Sequence, residues 1–178
     1  AAAGAIDPLV ALVTNGAAGG QEQAARALAN LAYDNAANQA AIAAAGGIKP
    51  LVALVTIGAA GGQEEAARAL GILASDNAAN QAAIAAAGGI DPLVALVRSG
   101  AARGQEWAAW ALVNLAHNSF ANYTAIAEAA GIAPLVALLA DAAAHLLPGA
   151  PNGKPSLSRR LRDAGWSTRQ SRRTKQWY

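Results

Sequence analysis

One stretch of this chain is written three times, and the spacing of the copies excludes most architectures. Residues 21–33 read QEQAARALANLAY, 63–75 read QEEAARALGILAS and 105–117 read QEWAAWALVNLAH, each copy starting 42 residues after the one before. A fixed period of that length signals stacked helical repeats, in which each unit packs only on its neighbours and the core is a strip rather than a ball. A second series keeps the same register. Ile6, Ile48, Ile90 and Ile132 are again 42 apart, and each is followed by x-Pro-Leu-Val. Alanine is the commonest residue of the chain; it is the best helix former, and its small side chain lets helices approach closely.

Each full unit reads as three helices. The first is short, expected at 38–45 and 80–87 with a variant at 122–130, and Gly46-Gly47 and Gly88-Gly89 follow it with the left-handed turn that ends helices. The second is expected at 7–14, 50–57, 91–98 and 134–145, with Asp7-Pro8 and Asp91-Pro92 placing a capping acceptor ahead of a first-turn proline. Gly16, Gly58 and Gly100 close it. The third and longest is expected to start after Gly19-Gly20, Gly61-Gly62 and Gly104. Its apolar face is Ala24, Leu28 and Leu31 in the first copy, Ala66, Leu70 and Leu73 in the second, and Ala108, Leu112 and Leu115 in the third. Asp34-Asn35 and Asp76-Asn77 turn the chain into the next short helix.

Charge is unevenly placed. Residues 1–153 hold five Lys/Arg against ten Asp/Glu, whereas 154–178 hold eight Lys/Arg against Asp163 alone. The chain has no cysteine, which excludes disulfides and thiolate metal sites and leaves the redox compartment open. No charged segment precedes an apolar run at the start, so no signal peptide is expected, and an intracellular setting, cytoplasm or nucleus, is. Apolar stretches are broken by Gly and Pro before about 18 residues, so no membrane span is expected.

The pattern G-G-I-x-P-L-V-x-L-V, then Q-E-x-A-A-x-A-L-x-x-L-A, then N-Q-x-A-I-A-x-A-G resembles the armadillo repeat over residues 1–147. HEAT repeats have two helices per unit and no such glycine pair. The resemblance implies an all-α, right-handed armadillo-type solenoid of about three and a half three-helix repeats plus a basic C-terminal tail, its third helices lining a concave groove that binds extended segments of other proteins. The expected divisions are the solenoid at 1–147, a Pro/Gly linker at 148–153 and the tail at 154–178. The first short helix is reduced to Ala1–Ala3, the chain opens inside a repeat as a piece of a longer array would, and the fourth unit has no recognisable third helix. Neither end reads as a polar cap, which solenoids usually need, so a homo-oligomer, a twofold dimer, is expected.

The third helix carries a second stripe opposite its leucines, at i, i+3, i+7 and i+10. It reads Gln23, Arg26, Asn30, Tyr33 in the first copy, then Glu65, Arg68, Ile72, Ser75, then Trp107, Trp110, Asn114, His117. Arg, Gln and Glu are rarely fully buried, so the stripe is expected to face solvent and to form the peptide-binding groove. Trp110 and Asn114 match the W-x-x-x-N of importin-α-like armadillo proteins. In those proteins, the resemblance implies, the Asn amide grips a peptide backbone while Trp rings hold Lys or Arg stems. The chemistry is sound by itself, since an amide offers donor and acceptor and an indole face attracts a cation. Arg26, Arg68 and Ile72 interrupt the array, which suits an acidic or mixed ligand, as in β-catenin-like grooves. Trp107 and Trp110 could instead cover the flank of a small core, and Asn114 could be a hydrated surface amide. With packed helices about 8–10 Å apart and about 3.3 Å per extended residue, each repeat would read two to three ligand residues.

In the tail, Arg159, Arg160, Arg162, Arg169, Arg172 and Arg173 alternate with Trp166 and Trp177. Such a segment could dock in the acidic groove of its own or a partner chain, contact nucleic acid by Arg and aromatic stacking, act as a localisation signal, or have no role. Peptide binding ranks first, a self-associating module second and a nucleic-acid scaffold third. His117 and His145 lack a converging ligand set. The Gly-rich turns before 22 and 64 lack the G-K-[ST] of a phosphate loop. No catalytic arrangement recurs, and no metal or cofactor is expected.

Overall fold

The computed structural model describes residues 3–144, with side chains from 4 to 138. Among these residues there are ten helices and no strand: α1 (Ala3–Asn15), α2 (Ala18–Ala32), α3 (Ala36–Ala44), α4 (Ile48–Ile57), α5 (Ala60–Ala74), α6 (Ala78–Ala86), α7 (Ile90–Ser99), α8 (Ala102–Ala116), α9 (Phe120–Glu128) and α10 (Ile132–Ala144). Two compact units meet in sequence at Pro134 and Leu135. The first holds α1–α9 and the opening of α10; of the second, only the rest of α10 is described. Ala1 and Ala2, His145, the expected linker at 148–153 and the whole tail lie outside the described residues.

In the first unit the three-helix period is explicit. The long helices α2, α5 and α8 are the expected third helices, and they pack on one another more heavily than any other elements. Their cross-helix partners advance together: Arg26 with Glu65 and Asn30 with Arg68 between α2 and α5, then Glu64 with Arg103 and Arg68 with Trp107 between α5 and α8. The three helices are therefore parallel. Leu28, Leu70, Leu73, Leu112 and Leu115 are buried with Ala24, Ala66 and Ala108, each buried leucine contributing roughly 1.5–3 kcal/mol. Leu31 is only half-buried, because α2 has a long-helix neighbour on one side alone. Ile42, Ile84 and Ile126 from the short helices and Leu51, Leu93, Val52 and Val94 from α4 and α7 complete the strip.

The boundaries depart from expectation at all three kinds of helix start. The long helices begin at Ala18, Ala60 and Ala102, so the glycines fall inside the first turn rather than before it. Gln21, Gln63 and Gln105 then reach back, each Nε2 donating to the carbonyl of Val13, Val55 or Val97 at 3.0–3.1 Å. That satisfies a carbonyl near the end of the preceding helix, one of the groups a helix terminus leaves open. The second helices are not capped by Asp. Gly47 and Gly89 occupy the N-cap of α4 and α7 without a side-chain bond, and Asp91 lies within the first turn. In α1 the helix starts at Ala3, so Pro8 is interior. The short helices start at Ala36, Ala78 and Phe120, capped by Asn35, Asn77 and Ser119, whose side chains accept from the backbone N–H of Asn38, Asn80 and Asn122. The residue before each cap, Asp34, Asp76 or Asn118, is left-handed at φ 49°, 49° or 55°.

The short helices end as expected. Gly47 N–H donates to Ile42 O and Gly46 N–H to Ala43 O, and Gly88-Gly89 repeats the pair, the double bond of a Schellman turn. Gly46 and Gly88 sit at φ 75° and 73°. In the third copy this place is taken by Ala130 at φ 53°, a conformation that disfavours a side-chain-bearing residue by roughly 1–2 kcal/mol. Arg98 braces that turn, its Nη2 donating to the carbonyls of Ala129 and Ala130 at 3.2 and 3.1 Å. A Cβ at Gly46 would meet nothing within 4 Å, so the conformational term stands alone there. Gly46→Ala should therefore lower stability by about 1 kcal/mol, and Ala130→Gly should raise it by up to about 1 kcal/mol, both read from urea denaturation midpoints.

Candidate functional site

The stripe opposite the leucines is continuous across α2, α5 and α8, but it is not uniformly exposed. Gln23, Asn30 and Tyr33 on α2 are exposed and Arg26 is half-buried. On α5, Glu65 and Ile72 are buried at 4% relative exposure, which overturns the expectation that the whole stripe faces solvent. The cause is position: α5 is covered by a long helix on both sides. Arg68 and Ser75 are half-buried, as are Trp107, Trp110, Asn114 and His117 on α8. Tyr33, Ser75 and His117 take equivalent places, each the C-cap of its long helix.

Lateral contacts bind the stripe into one network. Arg26 Nε donates to Glu65 Oε1 at 2.8 Å, its Nη2 to Glu22 Oε1 at 2.9 Å and its Nη1 to Gln23 Oε1 at 3.3 Å. The hydrogen bond it donates to Glu65 and the charge of that carboxylate, aided by Glu22, hold the Arg26 guanidinium above its ordinary pKa. Arg68 Nη1 donates to Glu65 Oε2 at 3.2 Å and its Nη2 to Asn30 Oδ1 at 2.8 Å. The Arg68 guanidinium also lies over the Trp107 ring, 5.6 Å from its centroid, within cation–π range. Trp107 meets Trp110 edge-to-face at 5.7 Å and 79°, a favoured aromatic geometry. At the ends of the helices, His117 Nδ1 lies 3.7 Å from Asp76 Oδ1.

Two arginines that read as loose positive charge in the sequence are thus bound to two carboxylates. Glu65 tolerates burial because both its oxygens accept from guanidinium groups; a buried carboxylate left with one partner fewer is strongly disfavoured. Glu22 was absent from the sequence-derived stripe because it lies one position away from it. Its recurrence as the Glu of the Q-E pair was the available signal.

Gly71 is the second residue that pattern reading passed over. It stands where the other copies have Ala29 and Val113. A Cβ there would lie 2.4 and 2.5 Å from Trp110 Cε3 and Cζ3 and 3.2 Å from Ala111 Cα, so the bare backbone is what admits the Trp110 ring. The Gly71 carbonyl in turn accepts from Asn114 Nδ2 at 2.9 Å. Trp110 and Asn114 are therefore seated together on one residue of α5. Two further amides stitch the repeats: Gln39 Nε2 donates to Ala32 O and Ile72 O, and Gln81 Nε2 to Ala74 O and Asn114 O.

The Armadillo/beta-catenin-like repeat matches residues 1–33, 35–75 and 77–117. The chain belongs to this armadillo family. No curated protein matches it. Among solved structures, an engineered protein shares 40% identity at a TM-score of 0.72, over 75% of the armadillo chain and 54% of its own length. The chain thus spans about half of that structure. A designed armadillo repeat protein in complex with the peptide (KR)4 shares 26% identity at a TM-score of 0.73, over 91% of this chain and 71% of its own. A set of computationally designed armadillo repeat proteins for modular peptide recognition is represented at 28% identity and a TM-score of 0.71, over 76% and 57%.

Among the described residues of the armadillo chain, no group of three His, Asp or Glu side chains could hold a metal ion, and no single helix is long and apolar enough to cross a membrane. The sequence-derived tail residues Arg159, Arg160, Arg162, Trp166, Arg169, Arg172, Arg173 and Trp177 lie outside the described residues. Gly71→Ala should displace Trp110 and lower stability by about 1–3 kcal/mol, the usual range for overpacking. Near-ultraviolet circular dichroism, which reports the Trp107–Trp110 pair, should change in the same variant.

Proposed function

We propose that the stripe on α2, α5 and α8 binds extended cationic peptide segments. One observation carries this reading: Arg26 and Arg68 are neutralised by Glu22 and Glu65, so the stripe has no free guanidinium to repel a basic ligand. Residues 4–138 hold nine Asp/Glu against five Lys/Arg. The parallel long helices also point three C-termini the same way, with Asp34 and Asp76 just beyond the first two, and the partial negative charge of helix C-termini favours cations. The ligand is therefore basic rather than acidic, which revises the sequence expectation. Tyr33 offers an exposed aromatic ring, and Trp107 and Trp110 are half-buried beside it in the stripe. Asn114, with Nδ2 committed to Gly71 O, presents Oδ1 to a ligand backbone N–H. The likeness to a designed armadillo protein in complex with (KR)4 supports the same ligand class.

Fluorescence anisotropy of labelled (KR)4 against the full chain tests this. We expect saturable binding that weakens as salt rises, at least about tenfold weaker binding in Trp110→Ala, and no binding of a (DE)4 control. Failure of (KR)4 to bind, or preference for the acidic peptide, overturns the reading.

The uneven charge favours a second reading, in which residues 154–178 of one copy, with Arg159, Arg160 and Arg162 foremost, serve as that cationic segment for another copy and produce a dimer. Light scattering should then show dimer mass at low salt and monomer mass at high salt. A salt-sensitive gel shift with oligonucleotides would instead support the nucleic-acid scaffold.

A further inference from the structure

The outer flank of α8 is an apolar face with no long helix against it among the described residues. In the first two long helices the residue at this place is buried: Ala29 is 0% exposed, and Gly71 lies beneath the Trp110 ring of the next long helix. Val113, their equivalent one period on, is 46% exposed. Helix α9, packed on α8, extends the face with Tyr123 at 55% and Phe120 at 84% exposure. In the earlier copies Gln39 and Gln81 hold the place of Tyr123, and each donates to a carbonyl of the following long helix, Ile72 O or Asn114 O. An aromatic ring at that place exchanges the hydrogen bond for apolar contact. Exposed apolar side chains grouped on adjoining helices mark an interaction surface.

We propose that this face of α8 and α9 docks an amphipathic helix of another protein, lying where the long helix of a fourth repeat would lie. The occupant's chemistry follows from continuity with the stack of α2, α5 and α8. Each helix added to that stack turns inward an apolar set at i, i+4 and i+7: Ala66, Leu70 and Leu73 in α5, then Ala108, Leu112 and Leu115 in α8, all buried. The docked helix needs the same set, the pattern of a helix laid in an apolar groove. The chain's own residues in that register, 144–158, include Pro148, Pro151 and Pro155, and interior proline breaks a helix. In a second copy the long helices are already packed into their own stack. Val113 sets the selectivity. A Cβ at Gly71 would lie 2.4 Å from Trp110 Cε3, so an aromatic residue at that place of the incoming helix demands glycine beneath it. The α2–α5 pair has Ala29 beneath and carries Arg68 at the corresponding position. Val113 therefore admits a helix like α5 and rejects one like α8. This docking is independent of the cationic-peptide reading, since Val113, Phe120 and Tyr123 are not stripe residues.

The test titrates the full chain into two fluorescent peptides, one with the α5 sequence (residues 60–75) and one with the α8 sequence (residues 102–117). We expect the α5 peptide to bind saturably and to gain helix by circular dichroism, since isolated helices of this length are marginal in water. Val113→Arg should weaken that binding at least about tenfold and leave the chain folded, because Val113 is exposed. The α8 peptide should bind the wild type at least about tenfold more weakly than the α5 peptide, and Val113→Gly should reverse the preference. No binding of the α5 peptide, or binding that Val113→Arg leaves unchanged, overturns the docking site. Equal binding of the two peptides to the wild type overturns the role of Val113 in selectivity. If neither peptide binds and light scattering shows a dimer that Val113→Arg dissociates, the face belongs to a second copy and the partner helix is overturned. Should Val113→Arg fail to fold, Tyr123→Asp reads the same loss at another exposed position.

Discussion

The first unit depends on the close parallel contact of α2, α5 and α8. Small residues make it possible: Ala25, Ala29, Ala67 and Gly71 are buried, and the bare backbone of Gly71 leaves room for the Trp110 ring. Close approach brings the carbonyl ends of neighbouring helices within reach of one amide, and Gln39 and Gln81 each tie two such ends together. It also brings residues from successive copies into hydrogen-bonding range along the opposite stripe. In the third copy the bridging position is Tyr123, which is exposed, so the stitch does not continue past α8 in this form.

Burial of Glu65 follows directly from that contact. A carboxylate at 4% exposure needs partners for both oxygens, and the two arginines at equivalent positions of adjacent copies provide them. The arrangement converts three charged residues that would each be ordinary on an isolated helix into one structure spanning α2 and α5. Exposed ion pairs contribute little, typically up to about 1 kcal/mol. Here a half-buried network fixes the stagger between helices and orients the face that the stripe presents.

The stripe is consequently chemically graded from copy to copy. Its first copy is polar and open through Gln23, Asn30 and Tyr33, its second is ionic and largely closed, and its third is aromatic through Trp107 and Trp110. A repeat architecture permits this because the leucine face and the stripe lie on opposite sides of the same helix. Stripe and packing meet at Gly71, which seats Trp110 and Asn114, and at the buried Glu65 and Ile72.

Period, helix order, the leucine face and the glycine turns at Gly46 and Gly88 were all legible in the residues, because each is a local pattern confirmed by its own repetition. Helix starts were less legible: Asp-Pro and Gly-Gly are strong local punctuation, yet neighbouring helices drew the long helices three residues further back. The partners within the stripe could not be read at all. Arg26 and Glu65 are 39 residues apart, Asn30 and Arg68 are 38, and Gly71 and Asn114 are 43. Those separations scatter around the period of 42, and the scatter is set by the stagger of parallel helices. The sequence by itself determined which residues recur and which face they share. Only the tertiary structure decided that Arg68 lies on Trp107 and that Glu65 is buried, because side-chain reach and helix offset are properties of packed neighbours and leave no mark on a linear repeat.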